Sequence, residues 1–320
     1  MNELKTRVFD LNTVKTVNIY TGNVVRWCSS ARRCPVTPDQ EVLDCIKAAL
    51  VEWSSKFNPD QAEVKRLPEH LVCNLIQDTE RIGPSEREDI KISAKLFICR
   101  FDAAIVKEAV ARACLELGVT QLDSVILAPP PLPEGKHLTL VDLKPYWDEL
   151  ETLVQDQVIA SIGVSDLDKN VLEALCQHAQ VQPSSNQVNL ASCCVIPPDL
   201  TAFANENNIQ LLTHNDPADI LPVGSFQEAL NASLQDPRGH EWAPLWILRY
   251  SAIIKDRGII KSKGLGRMML PNRVSVNWRI KKLGVYPLLQ SVSWSRQKLV
   301  FISFNVLTKY SINVIWQIQL

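Results

Sequence analysis

Apolar and polar residues alternate in blocks that predict strands separated by helices. Strand-like apolar runs lie at residues 90–98, 122–128, 158–164, 186–190, 209–213 and 258–261. Most of these runs are nearly continuous, which is typical of parallel strands buried on both faces. The alternation therefore predicts an α/β fold, either a closed barrel of eight strand–helix units or a doubly wound sheet.

Apolar residues at helical spacing predict the intervening helices. One helix begins after Thr37, with Pro38 at its first position, and another runs over residues 103–117 and ends at Gly118. Further helices are predicted near residue 140, after Asp168 and after Pro198. The residues Trp242, Leu245, Trp246 and Leu248 predict one more helix, directly before the last strand.

The stretch between residues 183 and 217 carries a family resemblance. Residues 186–194 read Asn-Gln-Val-Asn-Leu-Ala-Ser-Cys-Cys, and residues 211–217 read Leu-Leu-Thr-His-Asn-Asp-Pro. These two sequences resemble the late strands of the aldo-keto reductases. Within that family they resemble the group formed by the glutamate–cysteine ligase regulatory subunits. The resemblance covers about residues 17–264 and implies a catalytically degenerate (β/α)8 TIM barrel of the aldo-keto reductase type, which needs about 250 residues.

The composition changes abruptly after residue 264. Residues 265–320 contain eight Lys and Arg and no Asp or Glu, so residues 1–264 hold 26 basic and 35 acidic residues, a formal charge of −9. We predict an aldo-keto reductase-like barrel over residues 1–264 and an atypical, poorly ordered basic tail over residues 265–320. A genuine extension with strands near Val300 and Val314 is the alternative.

Charge, cysteine spacing and hydropathy exclude several classes of function. A body this acidic is not expected to bind nucleic acid through charge. The nine cysteines form no Cys-x-x-Cys pair and no metal-ligand spacing with the five histidines, so no metal site is predicted. No run of 18 apolar residues and no apolar signal peptide occurs, and we expect a cytosolic protein without a membrane span.

The family resemblance implies a test for catalysis. Aldo-keto reductases transfer hydride from a nicotinamide to a carbonyl and use a tyrosine acid, a lysine, an aspartate and a histidine. Here Lys95 stands at the lysine position, but Ala128 stands at the histidine position, and no tyrosine lies between Trp53 and Arg87. Losing the acid alone removes a factor of roughly 10²–10⁴ in rate, so we predict no catalytic residue and no conventional carbonyl reduction.

The nucleotide-binding positions of the family are partly kept. The resemblance places Ser165 and Gln187 at the nicotinamide amide, and Lys261 and Ser262 at the adenosine phosphate, with Arg267 at a plausible spacing for the arginine of the same motif. Two interpretations stay open: relic positions at the strand ends, or a residual NADPH site. No cofactor is required by the first interpretation, and NADPH is possible under the second.

Four more positions have a candidate role. Asp166 replaces the asparagine that follows the serine in the family, and His214 replaces the aromatic ring that stacks on the nicotinamide. The adjacent Cys193 and Cys194 could form a partner contact or a redox-sensitive contact, with a pair of reduced thiols as the simpler alternative.

The resemblance implies a function as a non-catalytic regulatory subunit. Such a subunit binds the glutamate–cysteine ligase catalytic subunit as a heterodimer, improves glutamate use and relieves feedback inhibition by glutathione. The alternatives are an NADPH-dependent aldo-keto reductase and an NADPH-sensing binding protein.

Overall fold

A computed structural model describes residues 13–24, 37–55, 68–74, 81–133, 135–189, 195–234 and 239–271. Within these ranges strands and helices alternate along the chain, as the apolar pattern predicts. The strands are β1 (Thr16–Tyr20), β2 (His70–Asn74), β3 (Ile90–Ile98), β4 (Ser124–Ala128), β5 (Ile162–Ser165), β6 (Ser185–Asn189), β7 (Gln210–His214), β8 (Trp242–Ile254) and β9 (Ile259–Pro271). The helices are α1 (Pro38–Ser55), α2 (Ile105–Leu117), α3 (Leu140–Gln155), α4 (Lys169–His178), α5 (Pro198–Glu206) and α6 (Val223–Leu234).

Local sequence explains several helix ends. Helix α2 ends at Gly118, whose φ of 68° lies in the left-handed region that glycine adopts without steric cost. Helix α3 begins at a capping box, in which the Asp142 carboxylate accepts hydrogen bonds from the backbone N–H and the hydroxyl of Thr139. In α4 the Asp168 carboxylate accepts from the backbone N–H of Val171.

One sheet contains all nine strands, in the order β2-β1-β9-β8-β3-β4-β5-β6-β7. Strands β3 to β7 are parallel neighbours in chain order, as expected for strand–helix repeats. The alternating α/β architecture is thus confirmed, and it is consistent with a TIM-barrel-like fold. Within the described residues the sheet differs from eight parallel strands, because β8 and β9 form a long antiparallel pair between β3 and β1.

The prediction of a helix around residues 242–248 is wrong. These residues form the first half of strand β8, which pairs with β3 on one side and β9 on the other. Strand β9 begins at Ile259, near the start of the predicted strand, but continues past residue 264 to Pro271. The division into a barrel and a tail at that point remains a prediction, and residues 272–320 lie outside the described part of the chain.

Two apolar clusters cover the two faces of the sheet. The first packs helices α2 to α5 against residues such as Ala94, Leu96 and Trp246. The second packs α1 and α6 against residues such as Phe97 and Ile247. Because successive residues of a strand point to opposite faces, Lys95 projects to the same face as Phe97, away from α2. No helix within the described ranges is long and apolar enough to cross a membrane.

Candidate functional site

Polar and ionisable side chains converge where the parallel strands end. Ser165, Asn189 and His214 are the last residues of β5, β6 and β7, and Lys95 lies near the end of β3. The carboxyl ends of parallel strands meet at one edge of a sheet, which is where α/β folds build their sites. We call the set formed at this edge the strand-end cluster, and it comprises Lys95, Ser165, Asp166, Asn189, His214, Asp216 and Arg249.

Asp216 is the centre of the strand-end cluster. Its carboxylate lies 2.9 Å from Lys95 Nζ and 2.7 Å from a guanidinium nitrogen of Arg249. The side chains of Lys95 and Asp216 are only 6% and 3% exposed. Both cations also face the ring of Phe97, at 5.1 Å for Lys95 Nζ and 5.3 Å for the guanidinium carbon of Arg249.

Burial and pairing act in opposite directions on these charges. Burial lowers the pKa of Lys95, although the Asp216 carboxylate favours the charged ammonium. Burial would raise the pKa of Asp216, but hydrogen bonds with His214 and Arg249 and the two neighbouring cations hold it far below its ordinary range. Asp216 is therefore a permanent carboxylate that neutralises Lys95.

His214 links Asp216 to a second carboxylate. Its Nε2 lies 3.0 Å from an Asp166 oxygen, and its Nδ1 lies 3.2 Å from Asp216 Oδ2. Nδ1 also faces the backbone N–H of Asp216 at 3.1 Å. Burial lowers the pKa of His214, but hydrogen bonds with Asp166 and Asp216 outweigh it, so the pKa is raised above 6.5.

Asp166 is the exposed end of the cluster, with its side chain 45% accessible. Burial of its polar atoms opposes ionisation, but hydrogen bonds from His214 and Ser165 lower its pKa. The backbone N–H of Asn189 also donates to Asp166, at 2.8 Å. Its φ of 61° places the residue in the left-handed region, which asparagine and aspartate tolerate better than most side chains.

The structure brings the predicted pair Ser165 and Gln187 together. They are paired in register between β5 and β6, and the fully buried Ser165 hydroxyl lies 3.3 Å from the Gln187 carbonyl oxygen. The side-chain oxygen Oε1 of Gln187 is buried and has no hydrogen-bond partner in the described part of the chain. It can therefore accept a hydrogen bond from a ligand donor.

The predicted phosphate contacts Lys261 and Ser262 lie elsewhere, on β9. Strands β8, β3 and β4 separate β9 from β5 in the sheet. Lys261 forms an ion pair with Glu86 at 2.8 Å, and Ser262 is 1% exposed. Cofactor binding by these two residues and by the Ser165–Gln187 pair remains a prediction.

Arg267 is buried on the same strand, at 1% exposure. Its guanidinium carbon lies 3.5 Å from the centroid of the Phe226 ring. None of its three guanidinium nitrogens has a hydrogen-bond partner among the described residues. Burial lowers the pKa of Arg267.

The residue at the family's histidine position cannot donate a proton. Ala128 ends β4, pairs in register with Phe97 and belongs to the second apolar cluster. Cys193 and Cys194 lie outside the described residues, so their predicted contact role stays a prediction. Within the described ranges no group of His, Cys, Asp and Glu is arranged to hold a metal ion.

Sequence reasoning missed Asp216 and Arg249. Asp216 lies 121 residues after Lys95 in the chain. Arg249 directly follows residues 242–248, which were predicted as a helix. A signal for Asp216 was present, since Asn215-Asp216-Pro217 follows the apolar run of β7 and polar residues after parallel strands tend to meet. Arg249 had no such signal, because its position depends on the pairing of β8 with β3.

Comparisons with known proteins agree on the family. The sequence model described as the aldo/keto reductase family matches residues 32–313. The glutamate–cysteine ligase regulatory subunit of Homo sapiens is 55% identical over 255 residues, which cover 79% of this chain and 92% of the human protein. The regulatory subunit of Rattus norvegicus is 54% identical over the same shares of the two chains.

A solved structure of a Bombyx mori aldo-keto reductase in complex with NADP is 19% identical to this chain. It matches 38% of this chain and 40% of its own length with a TM-score of 0.32.

Proposed function

The chain belongs to the aldo/keto reductase family, and from this premise we propose that it is a non-catalytic regulatory subunit that binds the catalytic subunit of glutamate–cysteine ligase. Relatives that are 54–55% identical over 79% of the chain carry the name of that regulatory subunit. The observation that carries the non-catalytic part is Ala128, which ends β4 at the family's histidine position and lies in the second apolar cluster, where it offers no proton donor.

The strand-end cluster supports this proposal through what its residues can do. Carbonyl reduction needs a proton donor at the developing alkoxide. The cluster contains no tyrosine, and Ala128 offers no imidazole at the histidine position. His214 is the side chain of the cluster whose ordinary pKa is nearest to neutral pH, but both of its ring nitrogens already lie beside carboxylates. The residues thus form a self-neutralising structural network.

A regulatory subunit of this kind acts through coupling free energy. If it binds the catalytically competent conformation of the ligase more tightly than the inhibited one, it shifts the ligase toward that conformation. A tenfold change in apparent glutamate or glutathione affinity requires about 1.4 kcal/mol of such coupling. An interface of ordinary size can provide that amount. Improved glutamate use and relief of glutathione inhibition are the two effects we propose.

The test uses the full chain mixed with purified catalytic subunit. We expect co-elution on size exclusion at a one-to-one ratio, a lower KM for glutamate and a weaker inhibition by glutathione. An active aldo-keto reductase added at the same concentration is the matched control for a folded family member. If the full chain is folded but neither co-elutes nor changes the two kinetic constants, the proposal is wrong.

NADPH binding is a second candidate, favoured by the buried, unpartnered Oε1 of Gln187 beside Ser165. That oxygen could accept from the carboxamide of a nicotinamide. Titration with NADPH, followed by quenching of tryptophan fluorescence, should then saturate, and Gln187→Leu should weaken binding while the exposed Gln210→Leu should not. Absence of saturable quenching rejects this candidate.

Reductase activity is tested separately, by NADPH consumption with a range of aldehydes. Turnover that the wild type shows and Lys95→Met lacks would support the hypothesis of an active reductase.

A further inference from the structure

Strand β7 forms one edge of the sheet, and its outer side is unpaired. It is the last strand in the order of nine, and within the described residues only β6 pairs with it. All five residues of β7 are at least partly exposed, whereas all four residues of β5, two strands away, are buried. An open strand edge presents backbone groups that can pair with a strand of another chain.

The outward backbone groups of β7 belong to Leu211 and Thr213. The N–H of Gln210 donates to the carbonyl oxygen of Ser184, directly before β6, at 3.0 Å. Along a parallel strand, successive residues direct their N–H and C=O groups to alternate sides. The groups of Leu211 and Thr213 therefore point away from β6, and no backbone partner for them is found in the described part of the chain.

Strand β7 lacks the features that usually protect an edge. Its sequence, Gln-Leu-Leu-Thr-His, contains neither a lysine nor a proline. The chain does protect another edge, where β9 continues beyond its pairing with β1. There the side chain of Asn23 donates to the carbonyl oxygen of Lys261 at 3.4 Å and accepts from the N–H of Lys263 at 3.3 Å. The edge of β7 has no such side-chain cover among the described residues.

The chain segment around β7 is acidic throughout. Residues 170–237 contain no Lys or Arg and seven Asp and Glu. Two of these carboxylates have a basic partner from another segment, since Glu173 pairs with Lys169 and Asp216 pairs with Lys95. This side of the sheet therefore supplies no cation of its own.

Two exposed carboxylates flank β7 itself. Glu206 ends α5, four residues before β7 begins, and Asp219 lies five residues after β7 ends. Neither carboxylate forms an ion pair within the described ranges. A hydrogen bond with Glu173 raises the pKa of Lys169, and the charges of Asp199 and Glu206 add to the increase. A surface with this negative potential favours a positively charged partner.

We propose, on the basis of the proposed function, that the outer edge of β7 binds an extended, basic segment of the glutamate–cysteine ligase catalytic subunit, which adds to the sheet as a further strand. Backbone hydrogen bonds to Leu211 and Thr213 hold such a segment in register. Its Lys or Arg side chains interact with Glu206 and Asp219, which select a basic segment over an acidic one.

The test measures the dissociation constant of the complex between the full chain and the purified catalytic subunit. Thr213→Pro removes an outward N–H without loss of a hydrogen bond between β6 and β7. We expect it to weaken the complex by roughly tenfold or more, because the carbonyl that the N–H would bind is left unsatisfied. Thr213→Val is the matched control, since valine has the shape of threonine and keeps the N–H, and it should bind like the wild type.

A second pair of variants tests the charges. Glu206→Gln combined with Asp219→Asn should weaken the complex by roughly threefold to tenfold at low ionic strength, and by less at high ionic strength. Glu88→Gln combined with Asp256→Asn is the control, because it changes the net charge equally at exposed positions before β3 and between β8 and β9. The control should leave the affinity within about twofold of the wild type.

Failure of the docking surface and failure of the proposed function give different results. If the wild type binds but either test variant binds as tightly as its control, the docking surface is wrong and the proposed function stands. If the wild type does not bind the catalytic subunit, both are wrong. If the free chain is a dimer that Thr213→Pro dissociates, the edge pairs with a second copy and the docking surface is also wrong. The charge variants decide the question even if Thr213→Pro fails to fold, which circular dichroism shows.

Discussion

Lys95 and Arg267 are both cations buried in the same sheet, yet their surroundings differ. Lys95 is 6% exposed and lies 2.9 Å from the Asp216 carboxylate. Arg267 is 1% exposed and faces the Phe226 ring, without a hydrogen-bond partner among the described residues. Burying a charge is costly unless it is paired and hydrogen-bonded. The first cation is therefore compensated by a carboxylate, whereas the second contacts only an aromatic ring among the groups that the described ranges contribute as partners.

The difference follows from the composition of the two chain segments. Lys95 faces a strand edge to which acidic residues return at 166 and 216. Arg267 lies in the segment from residue 265 onward, which contains no Asp or Glu. An arginine there has no acid of its own segment to pair with, and β9 carries it into an apolar cluster. Charge balance in a core thus depends on which segments the fold brings together.

The largest expected effect is the loss of Asp216. Asp216→Asn keeps the shape but leaves Lys95 and Arg249 without their shared counter-charge, and we expect a loss of about 3–5 kcal/mol in the free energy of unfolding. Urea denaturation measures it. The exposed pair Lys15–Glu69 supplies the control, because Glu69→Gln should leave stability unchanged. A loss below about 1 kcal/mol for Asp216→Asn would show that the pair is solvated.

The second prediction is an increase in stability. Arg267→Met replaces a buried guanidinium by an apolar chain of similar length, and we expect a gain of about 2 kcal/mol in the free energy of unfolding, reduced by the lost contact with Phe226. Lys95→Met is the matched substitution and should destabilise, since it leaves the Asp216 carboxylate with one buried cation fewer. A destabilised Arg267→Met would mean that the guanidinium has an anionic partner in solution.

The third prediction concerns pH. A histidine with a raised pKa stabilises the folded state below its unfolded pKa of 6.5, and this contribution is lost as the pH rises through the folded pKa. The lowered pKa of Asp166 and Asp216 contributes above 3.8 and is lost as the pH falls through their folded pKa values. The strand-end cluster therefore stabilises most between about pH 4 and pH 6.5.

Denaturation at about pH 6 and about pH 8 tests this dependence. The wild type should lose more stability than His214→Gln over that interval, because only the wild type releases the stabilising imidazole proton. An equal change in both proteins would assign the pH dependence to other groups.

The smallest expected effect concerns a neutral group. Tyr20→Phe removes a buried hydroxyl that has no partner in the described residues, and we expect a gain of up to about 1 kcal/mol in the free energy of unfolding. Tyr146 is the contrasting residue, because it is 3% exposed but hydrogen-bonded to the Asp102 backbone. Tyr146→Phe should therefore destabilise. Equal effects of the two substitutions in thermal unfolding would contradict the distinction.

The sequence predicted the repeating part of the fold well. Strand β3 has the bounds that the apolar pattern predicted, and α2 differs from the prediction by two residues at its start. These elements have strong periodicity and clear end signals such as Gly118. The segment 242–248 failed because a short apolar run fits a buried helix and a buried strand equally well. Only its pairing with β3 and β9 decided between them.

In the candidate site, too, some features were predicted from the sequence and others were decided by the tertiary structure. The family resemblance assigned Lys95, Ser165, Gln187 and Ala128 to family positions, and the sequence showed that no tyrosine lies between Trp53 and Arg87. Tertiary structure decided that Asp216 and Arg249 surround Lys95, and that the Arg267 guanidinium is buried without a hydrogen-bond partner in the described part of the chain. Local patterns fix which residues face a core, because periodicity is a property of neighbouring positions. Pairing across 121 residues depends on how strands assemble, and that is decided by the whole fold.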